Sequence, residues 1–206
     1  DVYFTACRDA SVRSCLYKVN AKGQITALTD TSMNVSAVSF SPDGKYFAAA
    51  LSNFTTPTQI RVCRSSDGRG EVVADKKGPD YDASKYALPQ LIYITVDSGL
   101  KLPAYIVYPK NFDPSRKYPV HVDIYGGPDT PQVKDFWMQP SSRNQWWSEN
   151  DIIEVTADCR AAGHNGRAGL DMIYKHLNTY EVQDFISWAK YLKSLPYVDG
   201  DKIGVE

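Results

Sequence analysis

The sequence predicts an all-β unit of repeated strands, followed by an α/β unit with a mostly parallel sheet. Three observations carry this. Residues 1 to about 78 contain only short strand-like runs, which repeat at an offset of about 43 residues. A polar, turn-rich stretch follows, "KKGPDYDASKYALP" (76–89), and helical periodicity appears only after it. Beyond that point helices alternate with apolar strands, the grammar of a parallel sheet.

The first half reads as "VYFTA" (2–6), "CLYKVN" (15–20), "ITALT" (25–29), "VSAVSF" (35–40), "KYFAAALS" (45–52), "QIRVCRS" (59–65) and "EVVAD" (71–75). Each run is rich in valine, isoleucine and aromatics, and turn residues separate them. In "FSPDGKY" (40–46) Pro42 presets a turn angle and Asp43-Gly44 tolerate its later positions. The repeat has the period of four-stranded propeller blades. One blade and part of another cannot close a propeller, so the expectation is a chain truncated at its front. On the strands alone a small β-sandwich stays open. The predicted domains are 1–78 and 79–206.

In the second half "LIYITVDSG" (91–99), "LPAYIVYPK" (102–110), "YPVHVDIYGG" (118–127) and "DIIEVTADC" (151–159) read as strands. The last two are nearly continuous apolar runs, as in strands buried on both faces. "RAGLDMIYKHL" (167–177) predicts a short helix and "NTYEVQDFISWAKYLKSL" (178–195) a long one. In the long helix Val182, Phe185, Ile186, Ala189, Leu192 and Leu195 form one stripe at 3.6-residue spacing. Asn178 with Glu181 has the form of a capping box, and Pro196 stops the helix. "KIGV" (202–205) reads as the next parallel strand.

Composition narrows the chemistry. A net charge of −1 gives no electrostatic reason to expect nucleic acid as a partner. No apolar run reaches the length of a membrane span. The four cysteines lack C-x-x-C spacing; Cys7 and Cys15 flank a predicted hairpin turn, where either a disulfide or, as is common for cysteine, a buried small apolar side chain is open. There is no Walker loop, no H-E-x-x-H and, within these residues, no G-x-S-x-G. "GHNGRAG" (163–169) is glycine-rich but not G-x-G-x-x-G, and reads as a structural loop. No cofactor or metal site is expected. Taken alone, Tyr125 and the tryptophans at 137, 146 and 147 read as packing residues, and the three histidines as surface or packing residues.

Two stretches carry a more specific signal. "KYPVHVDIYGGPDT" ends a buried strand in Tyr125 followed by Gly126-Gly127-Pro128, where backbone can approach a ligand closely. "DCRAAGHNGRAG…YKHLNTYEVQDFISWAKYLKSLPYVDGDKIGV" fits D-x-R-G-x-G-x-x-G, then L-G-x-x-E-x-x-D, a helix and D-x-x-[KR]-I. The matching residues are Asp158, Arg160, Gly163, Gly166, Leu177, Glu181, Asp184 and Ile203, whereas Ala161 and Asn178 stand where glycine is usual. Asparagine is the next best residue for a left-handed backbone or a cap, and Ala161 leaves the loop geometry open. With the preceding "FSPDGKY" blades, these stretches resemble the prolyl oligopeptidase family of serine peptidases, and within it the dipeptidyl peptidase IV branch.

The resemblance implies an α/β-hydrolase domain preceded by the last one to two blades of a β-propeller. It implies a serine nucleophile, a histidine base and an aspartate that orients it, in the chain order Ser, Asp, His. All three are expected beyond Glu206, so this chain alone is expected to be inactive. Tyr125 matches the family's oxyanion-stabilising tyrosine. Arg160 is a candidate substrate contact, with loop bracing as the structural alternative, and a pair between Arg160 and Asp158 also stays open. Removal of N-terminal dipeptides of the Xaa-Pro or Xaa-Ala type, peptide substrates as partners, a secreted or periplasmic location and a homodimeric parent follow from the resemblance only. Another α/β hydrolase, such as an esterase or acylaminoacyl peptidase, and a non-catalytic binding scaffold are the competing readings.

Overall fold

A computed structural model describes residues 1–140 and 142–206, with the backbone alone described at 142–144. The chain forms two compact units: Asp1–Asp82 with Lys134–Gln139, and Ala83–Val133 with Pro140–Glu206.

The first unit is made of antiparallel meanders. Strands β1 (Val2–Ala6), β2 (Cys15–Val19) and β3 (Ile25–Ala27) form a three-stranded sheet. Strands β4 (Asn34–Phe40), β5 (Tyr46–Ser52), β6 (Gln59–Arg64) and β7 (Gly70–Asp75) form a four-stranded one. The sequence repeat maps strand on strand: Tyr3 of β1 corresponds to Tyr46 of β5, β2 to β6 and β3 to β7. Leu16, Leu28, Val35, Phe47, Leu51 and Cys63 form the core of this unit. At the β4–β5 turn the Asp43 carboxylate accepts from the Ser41 hydroxyl at 2.7 Å and the Lys45 amide at 3.1 Å.

The Cys7–Cys15 pairing is absent, and all four cysteines are free thiols. The β1–β2 register places Cys15 opposite Ala6, not Cys7. Cys15 is buried with its thiol 3.6 Å from the Met33 carbonyl, while Cys7 is exposed. The segment Lys134–Gln139 joins this unit through Asp135. Its carboxylate accepts from Arg13 at 2.7 Å and from the Phe54 amide at 2.8 Å, and its own amide donates to the Val12 carbonyl at 2.9 Å.

The second unit is built on strands β8 (Gln90–Thr95), β9 (Lys101–Val107), β10 (Tyr118–Ile124), β11 (Ile153–Ala157) and β12 (Val198–Val205), with helices α1 (Ser142–Glu149), α2 (Gly166–Ile173) and α3 (Tyr180–Ser194). The sheet runs β12-β10-β11-β9-β8. The β10 strand is parallel to both β11 and β12, whereas β9 is antiparallel to β11 and β8. Val120, Val122, Ile153 and Val155 pack with Trp188 and Leu192 of α3 in its main core. Helix α1, which the sequence did not announce, lies against β11, with Trp147 stacked on His121 at 4.3 Å.

Two local expectations for α3 are corrected. Of the expected stripe Leu192 is buried and Phe185 and Leu195 pack against the main core, but Val182 and Ile186 are each 49% exposed, and the buried residues of the helix are Glu181, Asp184, Trp188 and Leu192. The period is that of the predicted stripe but its phase is rotated, because Trp188 enters the core and Asp184 is drawn in by Arg160. The capping box also fails. Thr179 is the N-cap without a side-chain bond, and of the two readings of Asn178 the left-handed one holds, with φ 63°. Among the described residues no helix is long and apolar enough to cross a membrane.

Candidate active site

Parallel strands β10, β11 and β12 end on the same side of the sheet, and the loops after β10 and β11 meet there. The C-terminal edge of such strands is where α/β sheets bind ligands. Tyr125 follows β10 directly and is 61% exposed, unusual for a tyrosine beside a buried strand. The next two residues explain how it is presented. Gly126 takes φ +75°, and a Cβ on Gly127 would fall 2.3 Å from the Tyr125 ring. Only glycine at 127 lets the ring lie against its own backbone.

The last residues of β12 run beside this tyrosine. Val205 is in register with Val122, the Glu206 amide donates to the Val122 carbonyl at 3.0 Å, and the Ile124 amide donates to the Glu206 carbonyl at 3.2 Å. The chain direction at Glu206 therefore points to the edge where Tyr125 stands.

The loop after β11 is organised by two buried carboxylates. Arg160 is 5% exposed and pairs with Asp184, not Asp158. Its guanidinium donates to the two Asp184 oxygens at 2.6 and 2.9 Å, and its backbone amide donates to the same carboxylate at 2.8 Å. The cation also lies over the Tyr180 ring at 4.9 Å. Hydrogen bonding to Asp184 pushes the arginine pKa above its ordinary value, against the effect of burial. Asp158 turns the other way, accepting from the Gln132 and Val133 amides and lying 2.8 Å from His164 Nε2. Its carbonyl takes the Trp188 indole N–H at 3.1 Å. Ala161, one of the two departures from the glycine pattern, is buried in a 3-10 turn (Arg160–Ala162).

Among the described residues no cluster of His, Cys, Asp or Glu could hold a metal ion. The tryptophans have packing partners of their own: Trp137 meets Tyr81 edge-on at 5.5 Å, and Trp146 meets Trp147 edge-on at 4.8 Å. A cavity of about 530 Å³ next to the tyrosine loop is lined by Pro128, Leu170, Ile173, Tyr174 and Leu177, with Arg167, Asp171 and Lys175 also in its wall.

Residues 137–206 match the Prolyl oligopeptidase family, and residues 1–58 match the Dipeptidyl peptidase IV (DPP IV) N-terminal region. The chain belongs to the prolyl oligopeptidase family, in its dipeptidyl peptidase IV-like branch. Probable dipeptidyl-aminopeptidase B of Arthroderma gypseum is 31% identical over 210 residues, 99% of this chain and 23% of that protein. The protein of the same name from Emericella nidulans is 32% identical over 212 residues, with the same coverage. The crystal structure of Porphyromonas gingivalis dipeptidyl peptidase 4 superposes with a TM-score of 0.85 at 28% identity, over 99% of this chain and 29% of that one. This member of the prolyl oligopeptidase family thus spans about a quarter of the length of the relatives it matches.

Sequence reasoning singled out Asp158, Arg160 and Asp184 but not their pairing, which depends on how α3 turns. His164 reads from the sequence only as a surface or packing residue, because a lone histidine in a glycine-rich loop carries no pattern.

Proposed function

We propose that this chain is part of a serine exopeptidase that removes N-terminal dipeptides, of the Xaa-Pro or Xaa-Ala type, by acyl-enzyme hydrolysis. It supplies one side of the oxyanion site, while the nucleophile, base and orienting aspartate follow Glu206. The observation that carries the reading is the juxtaposition of Tyr125 with the end of β12. Counting from β8, the sheet order is first, second, fourth, third, fifth, with the second strand antiparallel. We read this as the opening of an α/β-hydrolase sheet, in which β12 leads into the nucleophile turn. The two meanders of the first unit are then one blade (β4–β7) and the last three strands of another.

In this mechanism a serine hydroxyl on that turn attacks the scissile carbonyl, and a histidine takes its proton. The carbonyl oxygen becomes an oxyanion, to which the Tyr125 hydroxyl donates. Collapse of the tetrahedral intermediate releases the amine of the shortened peptide, which takes that proton from the histidine, and a water deprotonated by the same histidine then hydrolyses the acyl-enzyme. A donor used only at the oxyanion acts on kcat, at about 2.7–4 kcal/mol for one such donor. Tyr125 lies outside both segments matched by the family comparisons, so its assignment rests on its place in the fold. Arg160 is assigned bracing of the loop after β11, because its guanidinium is buried against Asp184.

The test uses a polypeptide extended through the nucleophile turn, assayed on an Xaa-Pro chromogenic dipeptide and on a simple ester. Cleavage of the dipeptide, with kcat reduced about 10²–10³-fold by Tyr125→Phe at little change in KM, is expected. Cleavage of the ester alone would replace the exopeptidase reading with an esterase. No cleavage of either would favour a binding scaffold.

A further inference from the structure

The loop from Gly126 to Val133 has no ladder of its own, so its position is set by what it touches. The Asp129 amide donates to the Ala161 carbonyl at 2.8 Å. The Asp158 carboxylate holds the far end, accepting from the Gln132 amide at 3.1 and 3.0 Å and from the Val133 amide at 2.8 Å. Among the described residues the remaining hydrogen-bond contact to that carboxylate is His164 Nε2, at 2.8 Å from Oδ2. Both side chains are 2% exposed.

A carboxylate only accepts, so Nε2 must carry the proton. In the neutral ring Nδ1 is then a bare acceptor, and it is buried with no hydrogen-bond partner among the described residues. A buried polar atom without a partner is destabilising, so the imidazole sits here at a cost and its contribution is the bond from Nε2. Residue 164 also falls at a position that the D-x-R-G-x-G-x-x-G pattern leaves open, so this bond is not part of the pattern that defines the resemblance.

We infer that His164 is a positioning residue for Tyr125. By donating to Asp158, it fixes the carboxylate that holds the Gln132 and Val133 amides, and with them the loop that begins at the tyrosine. The inference rests on Tyr125 being the oxyanion donor. Misplacing a reacting group by about 1 Å can cost about 10²-fold in rate, so loss of one of several ties should cost about tenfold.

The test is a double-mutant cycle in the polypeptide extended through the nucleophile turn. His164→Leu is expected to lower kcat about tenfold with little change in KM, and His164→Gln, which keeps an N–H donor, to restore most of it. In a Tyr125→Phe background His164→Leu should cost nothing more, because no hydroxyl remains to be misplaced. An equal loss in both backgrounds would overturn the inference while leaving the role of Tyr125 intact. An unchanged kcat in Tyr125→Phe alone would remove that role, and the inference with it. The unsubstituted chain offers a check independent of activity and of variant folding. ¹⁵N NMR of the imidazole should show a protonated Nε2, and a ring protonated on Nδ1 alone would also overturn the inference.

Discussion

Tyr125 and Arg160 are both polar residues in loops that follow parallel strands, yet the structure treats them in opposite ways. The tyrosine is held outward by a glycine pair, and the arginine is sealed against Asp184. Removing one partner of a buried ion pair costs about 3–5 kcal/mol, because the other charge stays buried. Asp184→Ala is expected to exceed Arg160→Met in urea unfolding, since Asp184 also accepts the Arg160 backbone amide. Arg160→Met leaves that carboxylate still bonded to one amide. The reverse order would show that the amide contact contributes nothing. Cys159, fully buried beside this pair, has its thiol pushed by burial from 9.0 up to about 11. The folded state therefore favours the neutral thiol. That contribution is complete below pH 9, and it is lost as the pH rises to 11, because the unfolded thiol ionises first. Unfolding free energy should fall across this window, and less steeply in Cys159→Ala; equal slopes would exclude Cys159 as the cause.

At the scale of elements, helix α3 separates what sequence periodicity specifies from what it does not. Its length, its stop and its 3.6-residue period were legible in residues 178–195. Its phase was not, because hydrophobicity alone assigns Val182 and Ile186 to the core and Asp184 to solvent. The arginine partner of Asp184 lies 24 residues away, and that contact decides the rotation. Leu192→Ala should therefore cost about 2–5 kcal/mol, while Val182→Ala and Ile186→Ala should stay within about 0.5–1 kcal/mol. A large loss at Val182 would restore the stripe read from the sequence. Helix α1 was illegible for a related reason. Of "SRNQWWSE" only the adjacent Trp146 and Trp147 are apolar, and Trp147 finds its place by stacking on His121. The strands were easier to read, since β-branched and aromatic runs between turn residues carry their own boundaries.

For the whole molecule, the 43-residue repeat and the change from strands to alternating helices and strands were visible in the sequence. The excursion of Lys134–Gln139 into the first unit was not, because it depends on Asp135 meeting Arg13, 122 residues earlier. The candidate site was legible only in part. Tyr125 stood out by its Gly-Gly-Pro context, but the register that sets Glu206 beside it is a property of the folded sheet. That register supports the central proposal, that this chain holds an oxyanion donor and the strand that approaches it, with the nucleophile following. Labelling with a fluorophosphonate serine probe tests this most directly. The account predicts no stoichiometric labelling of residues 1–206, and labelling of an extended chain at a serine a few residues past Glu206. Stoichiometric labelling of a serine within residues 1–206 would contradict it.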